Sequence, residues 1–174
     1  MYRGLLIALL SLVMLDIADA QPRSLGATFS YGGWGIAYEH AMKEGDMLEI
    51  CLRSELSDHF TDMTRNPGVS VSFTYGITLK EWTSSSGIPM TLNAGPGAYI
   101  AWTEDFRQGT GSAFGLKGKI CMEGCFERKV ILTIGIAPVL GLHTRIMDDH
   151  ISLTLFRNGL LFAIMPEIGL RYRF

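Results

Sequence analysis

From Leu160 to Phe174 every second residue is apolar: Leu160, Phe162, Ile164, Pro166, Ile168, Leu170, Tyr172 and Phe174. The residues between them are Leu161, Ala163, Met165, Glu167, Gly169, Arg171 and Arg173. Side chains of a strand point alternately to its two faces, so a strand here has one wholly hydrophobic face and one that mixes charges with smaller groups. A helix would scatter the same charges around its circumference. The pattern also runs to the final residue, whereas the ends of soluble domains usually fray into loose polar residues.

Seven further segments carry the same alternation. Trp34, Ile36 and Tyr38 share one face of GWGIAYEH, and Leu48, Ile50 and Leu52 oppose Glu49, Cys51 and Arg53. Val69, Val71, Phe73, Tyr75, Ile77 and Leu79 oppose Ser70, Ser72, Thr74, Gly76, Thr78 and Lys80. Met90 through Trp102, Phe114 through Ile120, Val130 through Leu142 and Ile151 through Leu155 repeat it. With the C-terminal stretch the expected count is eight strands.

Turn chemistry provides a check, because loop length fixes which residues pair. A two-residue Asn158-Gly159 loop predicts a hairpin pairing Leu155 with Phe162 and Leu153 with Ile164. A three-residue loop with Gly45 in the left-handed position pairs Tyr38 with Ile50 and Ile36 with Leu52. The same pattern around Gly124 pairs Ile120 with Phe126 and Leu116 with Val130. Each register sets apolar residue against apolar residue.

The first residues, MYRGLLIALLSLVMLDIADAQ, place Arg3 before an apolar core from Leu5 to Leu15 and a small-residue site at Ala18-Asp19-Ala20. That is the pattern of a cleaved secretory signal peptide over residues 1–20. The core is short of the roughly 20 apolar residues that a membrane-spanning helix needs, and residues 21–174 contain no other long apolar run. The expected domain is therefore 21–174. A formal charge of -2 and the absence of any basic run leave nothing to neutralise phosphates, which excludes nucleic acid as a partner.

Eight antiparallel strands of this kind close into an up-and-down barrel, and two all-β classes fit: a soluble lipocalin-like cup, apolar inside, or a transmembrane barrel, apolar outside. Gly32-Gly33-Trp34 offers the lipocalin Gly-x-Trp triplet, a weak signal. The polar parity is largely Gly, Ser, Thr, Ala and Asn, which suits a crowded interior better than a water-facing surface. The apolar parity carries essentially no charge, and Trp34, Trp102, Tyr172 and Phe174 can form interfacial girdles. The chain also stops on a strand, where a lipocalin continues into a helix.

A signal peptide, eight alternating strands and a last strand ending GLRYRF resemble the small outer-membrane β-barrels of Gram-negative bacteria, the class of outer-membrane protein X and the barrel of outer-membrane protein A. The resemblance implies residence in the outer membrane, lipid as the surrounding partner and a monomeric protein with a structural, protective or surface-contact role. It also implies that Leu170, Tyr172 and Phe174, with Ile168, form the terminal signal read by the barrel-assembly machinery. Some members of the wider class are lipid A acylases or deacylases.

An eight-stranded barrel is just wide enough to be filled by its side chains. The inward candidates are Glu39, Glu49, Arg53, Lys80, Lys117, Lys119, Glu167, Arg171 and Arg173. Buried charges must pair, so these residues are expected to form an ionic network. The register sets Glu39 opposite Glu49, with Arg53 or Lys80 as the expected compensating cation. An enzyme would need a nucleophile, a base and a carboxylate close together; His40 pairs with Leu48 rather than Ser54, His59, His143 and His150 have no convincing partners, and all four histidines are expected in loops or at interfaces. No cofactor or metal spacing occurs.

If Met122-Glu123-Gly124 is a hairpin loop, Cys121 and Cys125 become cross-strand neighbours that an oxidising compartment can bridge. Three unpaired cysteines packed as small apolar residues fit the sequence equally. Cys51 is expected inside the barrel in either case.

Overall fold

The strands form where the alternation predicts them, with the exceptions described below, and backbone pairing rolls them into a closed barrel. A computed structural model describes residues 23–42, 45–55, 66–105, 109–147, 150–161 and 163–174. The expected signal peptide and His59 lie outside the described residues. In chain order the elements are β1 (Arg23–Ser30), β2 (Gly33–Ala41), β3 (Met47–Glu55), β4 (Asn66–Thr83), β5 (Pro89–Asp105), β6 (Gly109–Phe126), β7 (Val130–Ile136), β8 (Val139–Met147), β9 (His150–Leu155), a short helix α1 (Arg157–Leu161) and β10 (Glu167–Arg173).

These ten strands make eight staves. β7 and β8 lie along β6 in one continuous register, Ile120 opposite Ile136 and Lys117 opposite Val139. The break between them falls at Pro138, which has no N–H to donate; its carbonyl still accepts from Gly118 N at 2.9 Å. β9 and β10 run along that stave in the same direction, β9 on β8 and β10 on β7. The barrel closes where β10 meets β1, with Ser24 opposite Arg173 and Phe29 opposite Ile168.

The eighth stave corrects the sequence reading. Asn158-Gly159 makes no hairpin: Leu155 pairs with Leu142 across β8, and residues 157–161 are helical. The strand expected from Leu160 begins only at Glu167. The missing stave in the sequence count is β1, whose RSLGATFS is too rich in Ser, Gly and Thr to stand out. Eight is therefore the right number reached with one strand omitted and another counted twice.

The other two hairpin registers divide. Tyr38 faces Ile50, Ile36 faces Leu52, and Gly45 has φ +85°, as the turn requires. The register around Gly124 is wrong, because β6 continues to Phe126 and turns at residues 127–129. Phe126 then faces Val130, and Leu116 faces Leu140. Glu127 and Arg128 take φ of 49° and 62°, a left-handed pair that no Gly or Asn announces in the sequence.

The barrel is apolar outside and polar inside, the reverse of a lipocalin cup. Ile36, Leu52, Val71, Ile100, Leu116, Ile134, Leu140 and Leu170 are exposed on the outer wall. Such a surface spreads around the staves, whereas soluble monomers keep their exposed apolar residues in small, separate patches. Trp34, Trp102, Tyr172 and Phe174 all stand on it. The chain end is fixed in place: Phe174 N donates to Arg23 O at 2.8 Å, and Arg173 N to Lys129 O at 2.7 Å.

Candidate functional site

The lumen is where the sequence concentrates its chemistry. Alternation sends Glu39 from β2, Glu49 and Arg53 from β3, Lys117, Lys119 and Glu123 from β6, and Glu167 and Arg171 from β10 inward, and all eight are buried. Four carboxylates face four cations. Each buried ion costs several kcal/mol to desolvate, so the interior is tenable only if the charges are paired and hydrogen-bonded.

They are. Arg171 is the hub: Nη1 donates to Glu39 Oε2 at 2.5 Å and to Glu49 Oε2 at 3.3 Å, while Nη2 is ion-paired with Glu123 and donates to Thr133 Oγ1 at 3.1 Å. Lys119 is ion-paired with Glu49 and lies 3.9 Å from Glu167. Arg53 is ion-paired with Glu167 and donates through Nη1 to Ser30 Oγ at 3.2 Å. Lys117 donates to Ser72 Oγ at 2.9 Å and sits 4.0 Å from Glu49. Small hydroxyls complete the shell, with Thr133 Oγ1 donating to Glu123 at 3.4 Å and Ser24 Oγ to Glu39 at 3.5 Å.

Around Glu49 the interior is filled. A space of about 10 Å³ remains between Glu49, Thr74 and Asn93, which is room for a single water. Beyond the network the lumen turns apolar: Phe156 stacks on Tyr99 at 5.6 Å between centroids and meets His143 edge-on at 6.3 Å, with Ala101, Ala113 and Val139 packed around them. Phe156 reaches inward because the chain leaves the barrel wall between β9 and β10. Gly159 makes that departure fit, since a Cβ there would run into the Val139 carbonyl and the Phe156 ring.

Of the nine residues expected inside, seven are in the network and two are not. Lys80 is exposed on the outer wall. The β4–β5 register slips between Thr78 and Lys80, which sets Lys80 opposite outward Leu92 and moves Glu81 opposite inward Thr91; one extra residue reverses every later side chain. Arg173 keeps its inward parity but stands half-buried at the mouth. Glu39 and Glu49 do face each other as expected, yet their cations are Arg171 and Lys119, not Arg53 or Lys80.

Glu123 is hidden in the sequence by the loop expected around it. His143 is likewise corrected, lying buried inside the barrel against Phe156 rather than in a loop or at an interface. Of the two alternatives for the cysteines, the Cys121–Cys125 bridge is absent: both residues lie on β6, four positions apart on one strand, and both are free thiols. At roughly 3.3 Å rise per residue their separation is far beyond a disulfide's reach. Cys51 is buried inside as expected, with its Sγ 3.6 Å from Thr28 Oγ1.

No protein-family profile and no curated protein matches the chain. Among solved structures it is similar to a major outer membrane protein from Thermus thermophilus, with 12% identity and a TM-score of 0.48. It is also similar to Ail, the attachment invasion locus protein of Yersinia pestis, with 12% identity and a TM-score of 0.41. Each alignment covers 90% of this chain and 100% of the other.

Proposed function

We propose that the protein is an integral outer-membrane barrel with a sealed lumen, serving a structural, protective or surface-contact role as a monomer. The observation that carries this reading is the inversion of polarity: balanced, paired charges inside and an apolar wall outside. A barrel so built is stable only where its outside meets hydrocarbon. The sealed interior, ionic at one level and filled by Phe156 at another, favours a wall over a pore.

Arg23, Phe174, the bonded pair Met42 and Asp46, and the turns at residues 84–88 and 127–129 lie at one end. Short turns mark the periplasmic end of such barrels, so we assign this end to the periplasm and the opposite end, where Ser30, Gly33, Glu55, Asn66, Asp105, Gly109, Met147 and His150 end their strands, to the outside. Ser84-Ser85-Ser86 accordingly belongs to a periplasmic turn. Export through residues 1–20, and reading of Ile168, Leu170, Tyr172 and Phe174 by the assembly machinery, complete the proposal.

Fractionation of the expressing cells tests it. The protein is expected in the outer-membrane fraction, resistant to carbonate and urea extraction, and migrating differently on a gel before and after boiling. Release as a soluble monomer overturns the reading.

A further inference from the structure

The mouth at the terminus-bearing end opens into a cavity of about 500 Å³, within the size range of small-molecule sites. Its inner end is stopped by Glu123, held by Arg171. The cavity is therefore blind, a recess rather than the start of a channel.

Two charged side chains line it without an ion-pair partner among the described residues, Glu81 on β4 and Arg173 on β10. In the ring of staves β4 and β10 stand on opposite walls, with β3, β2 and β1 between them on one side and β5, β6 and β7 on the other. Elsewhere in the lumen opposite charges reach across and pair. Here they do not, and an open space lies between them.

The position of Glu81 is a product of the bulge in β4. Regular alternation would have turned Lys80 into this mouth and Glu81 toward the outer wall; the slip between Thr78 and Lys80 exchanges them. Bulges recur where a strand must re-aim a side chain. The result is a carboxylate facing an arginine across a recess that also offers the Thr91 hydroxyl and the apolar side chain of Ile131.

We propose that this mouth binds a small zwitterion. Its anionic group, a phosphate or carboxylate, takes the guanidinium fork of Arg173. Its ammonium donates to Glu81, and the short chain joining the two groups lies over Ile131. Neither half alone satisfies both walls, so recognition requires the two charges in one molecule. Two sources share that chemistry, a free metabolite-sized zwitterion and the headgroup of an ethanolamine phospholipid at the rim. The inference concerns the folded barrel and does not depend on the compartment assigned above.

Cys125 supplies the readout. It lines the same cavity and is half-buried, whereas Cys51 and Cys121 are buried, so the alkylation rate of the folded protein by N-ethylmaleimide reports the occupancy of the mouth. In maltoside micelles, a saturating concentration of phosphoethanolamine is expected to slow alkylation about tenfold, while ethanolamine or inorganic phosphate alone leaves it nearly unchanged. Protection seen only in vesicles containing phosphatidylethanolamine, and not in phosphatidylglycerol vesicles, assigns the site to the lipid headgroup. Glu81→Gln and Arg173→Gln are each expected to lose the protection while keeping the unliganded rate and the heat-modifiable gel shift. The proposal is overturned if no condition protects Cys125, if the separate halves protect as well as the joined molecule, or if folded variants retain protection. Should a variant fail to fold, the comparison of joined and separate halves on the unaltered protein still decides.

Discussion

Glu39 and Glu49 are direct cross-strand neighbours inside the barrel, and Arg171 donates to both from β10, two staves round the wall from β2. Like charges so placed repel, with side chains that start about 4.5–5.5 Å apart. Lys119 also holds Glu49, but Glu39 and Glu123 have Arg171 as their ion-pair partner. Arg171→Gln is therefore expected to destabilise the barrel by about 3–5 kcal/mol, the cost of stranding buried charge. Urea unfolding in detergent micelles measures it. Adding Glu39→Gln to that variant should recover part of the loss, because the second change removes a stranded carboxylate.

The inside and outside of the barrel were legible in the sequence because period-two alternation survives wherever a strand is regular. Val69 to Thr78 and Val130 to Gly135 needed nothing more. Misreadings arose where geometry departs from that period without a local signal. The bulge at Leu79 shifts Lys80 by one residue, and no Gly or Pro marks it. The turn at Glu127 and Arg128 uses left-handed backbone in residues that rarely adopt it, so Gly124 looked like the better turn and Glu123 was lost from the lumen. Asn158-Gly159 failed in the opposite way, a strong local signal overruled because β9 and β10 both pair with the stave before them. The identity of each cation's partner was not legible at all, since it depends on which staves stand opposite after closure.

The outer wall predicts a contrast between neighbouring residues of β7. Ile134 is 47% exposed on the apolar face, and Ile134→Arg is expected to cost about 2–4 kcal/mol near mid-membrane. Gly135 faces inward, where an added Cβ meets the Ile120 carbonyl and Cys121. Gly135→Arg is expected to block folding by crowding rather than by polarity. Folding yields into phosphatidylcholine vesicles, compared with those into micelles, separate the two causes: the first defect varies with the apolar medium and the second does not.

The apolar plug rests on one ring and one glycine. Phe156→Ala removes the ring that contacts both Tyr99 and His143 and is expected to cost about 3–5 kcal/mol as a buried large-to-small change. Gly159→Ala should disturb the same region by pushing α1 off the Val139 carbonyl. Near-ultraviolet circular dichroism gives a specific check, because both changes alter the packing of Tyr99 while leaving the strand signal intact. An unchanged aromatic spectrum in Phe156→Ala would falsify the stacking.

The cysteines give a binary outcome. With all three thiols free, unfolded and unreduced protein should take up three alkyl groups by intact mass, and reduction beforehand should change nothing. In the folded barrel Cys125 should react first, because Cys51 and Cys121 are 2% and 4% exposed. A single alkyl group on the unfolded, unreduced protein would restore the bridge that the geometry of β6 excludes.

The bulge in β4 makes the last prediction, and it runs against the usual rule for strands. Deleting one residue from a regular strand turns every later side chain to the wrong face, so removal of Thr74 should send the following apolar residues inward and prevent assembly. Leu79 is different. It is the residue that β4 carries in excess between the pairs Thr78 with Asn93 and Lys80 with Leu92, and it is 60% exposed. Removing it leaves Thr78 inward, Lys80 outward and Glu81 inward, the same arrangement by simple alternation. Deletion of Leu79 is therefore expected to give a heat-modifiable barrel within about 1 kcal/mol of the parent stability, the scale of a solvent- or lipid-facing change that breaks no pairing. Loss of the folded gel band in this variant would show that the extra residue is needed for closure and is not merely the device that exchanges Lys80 with Glu81.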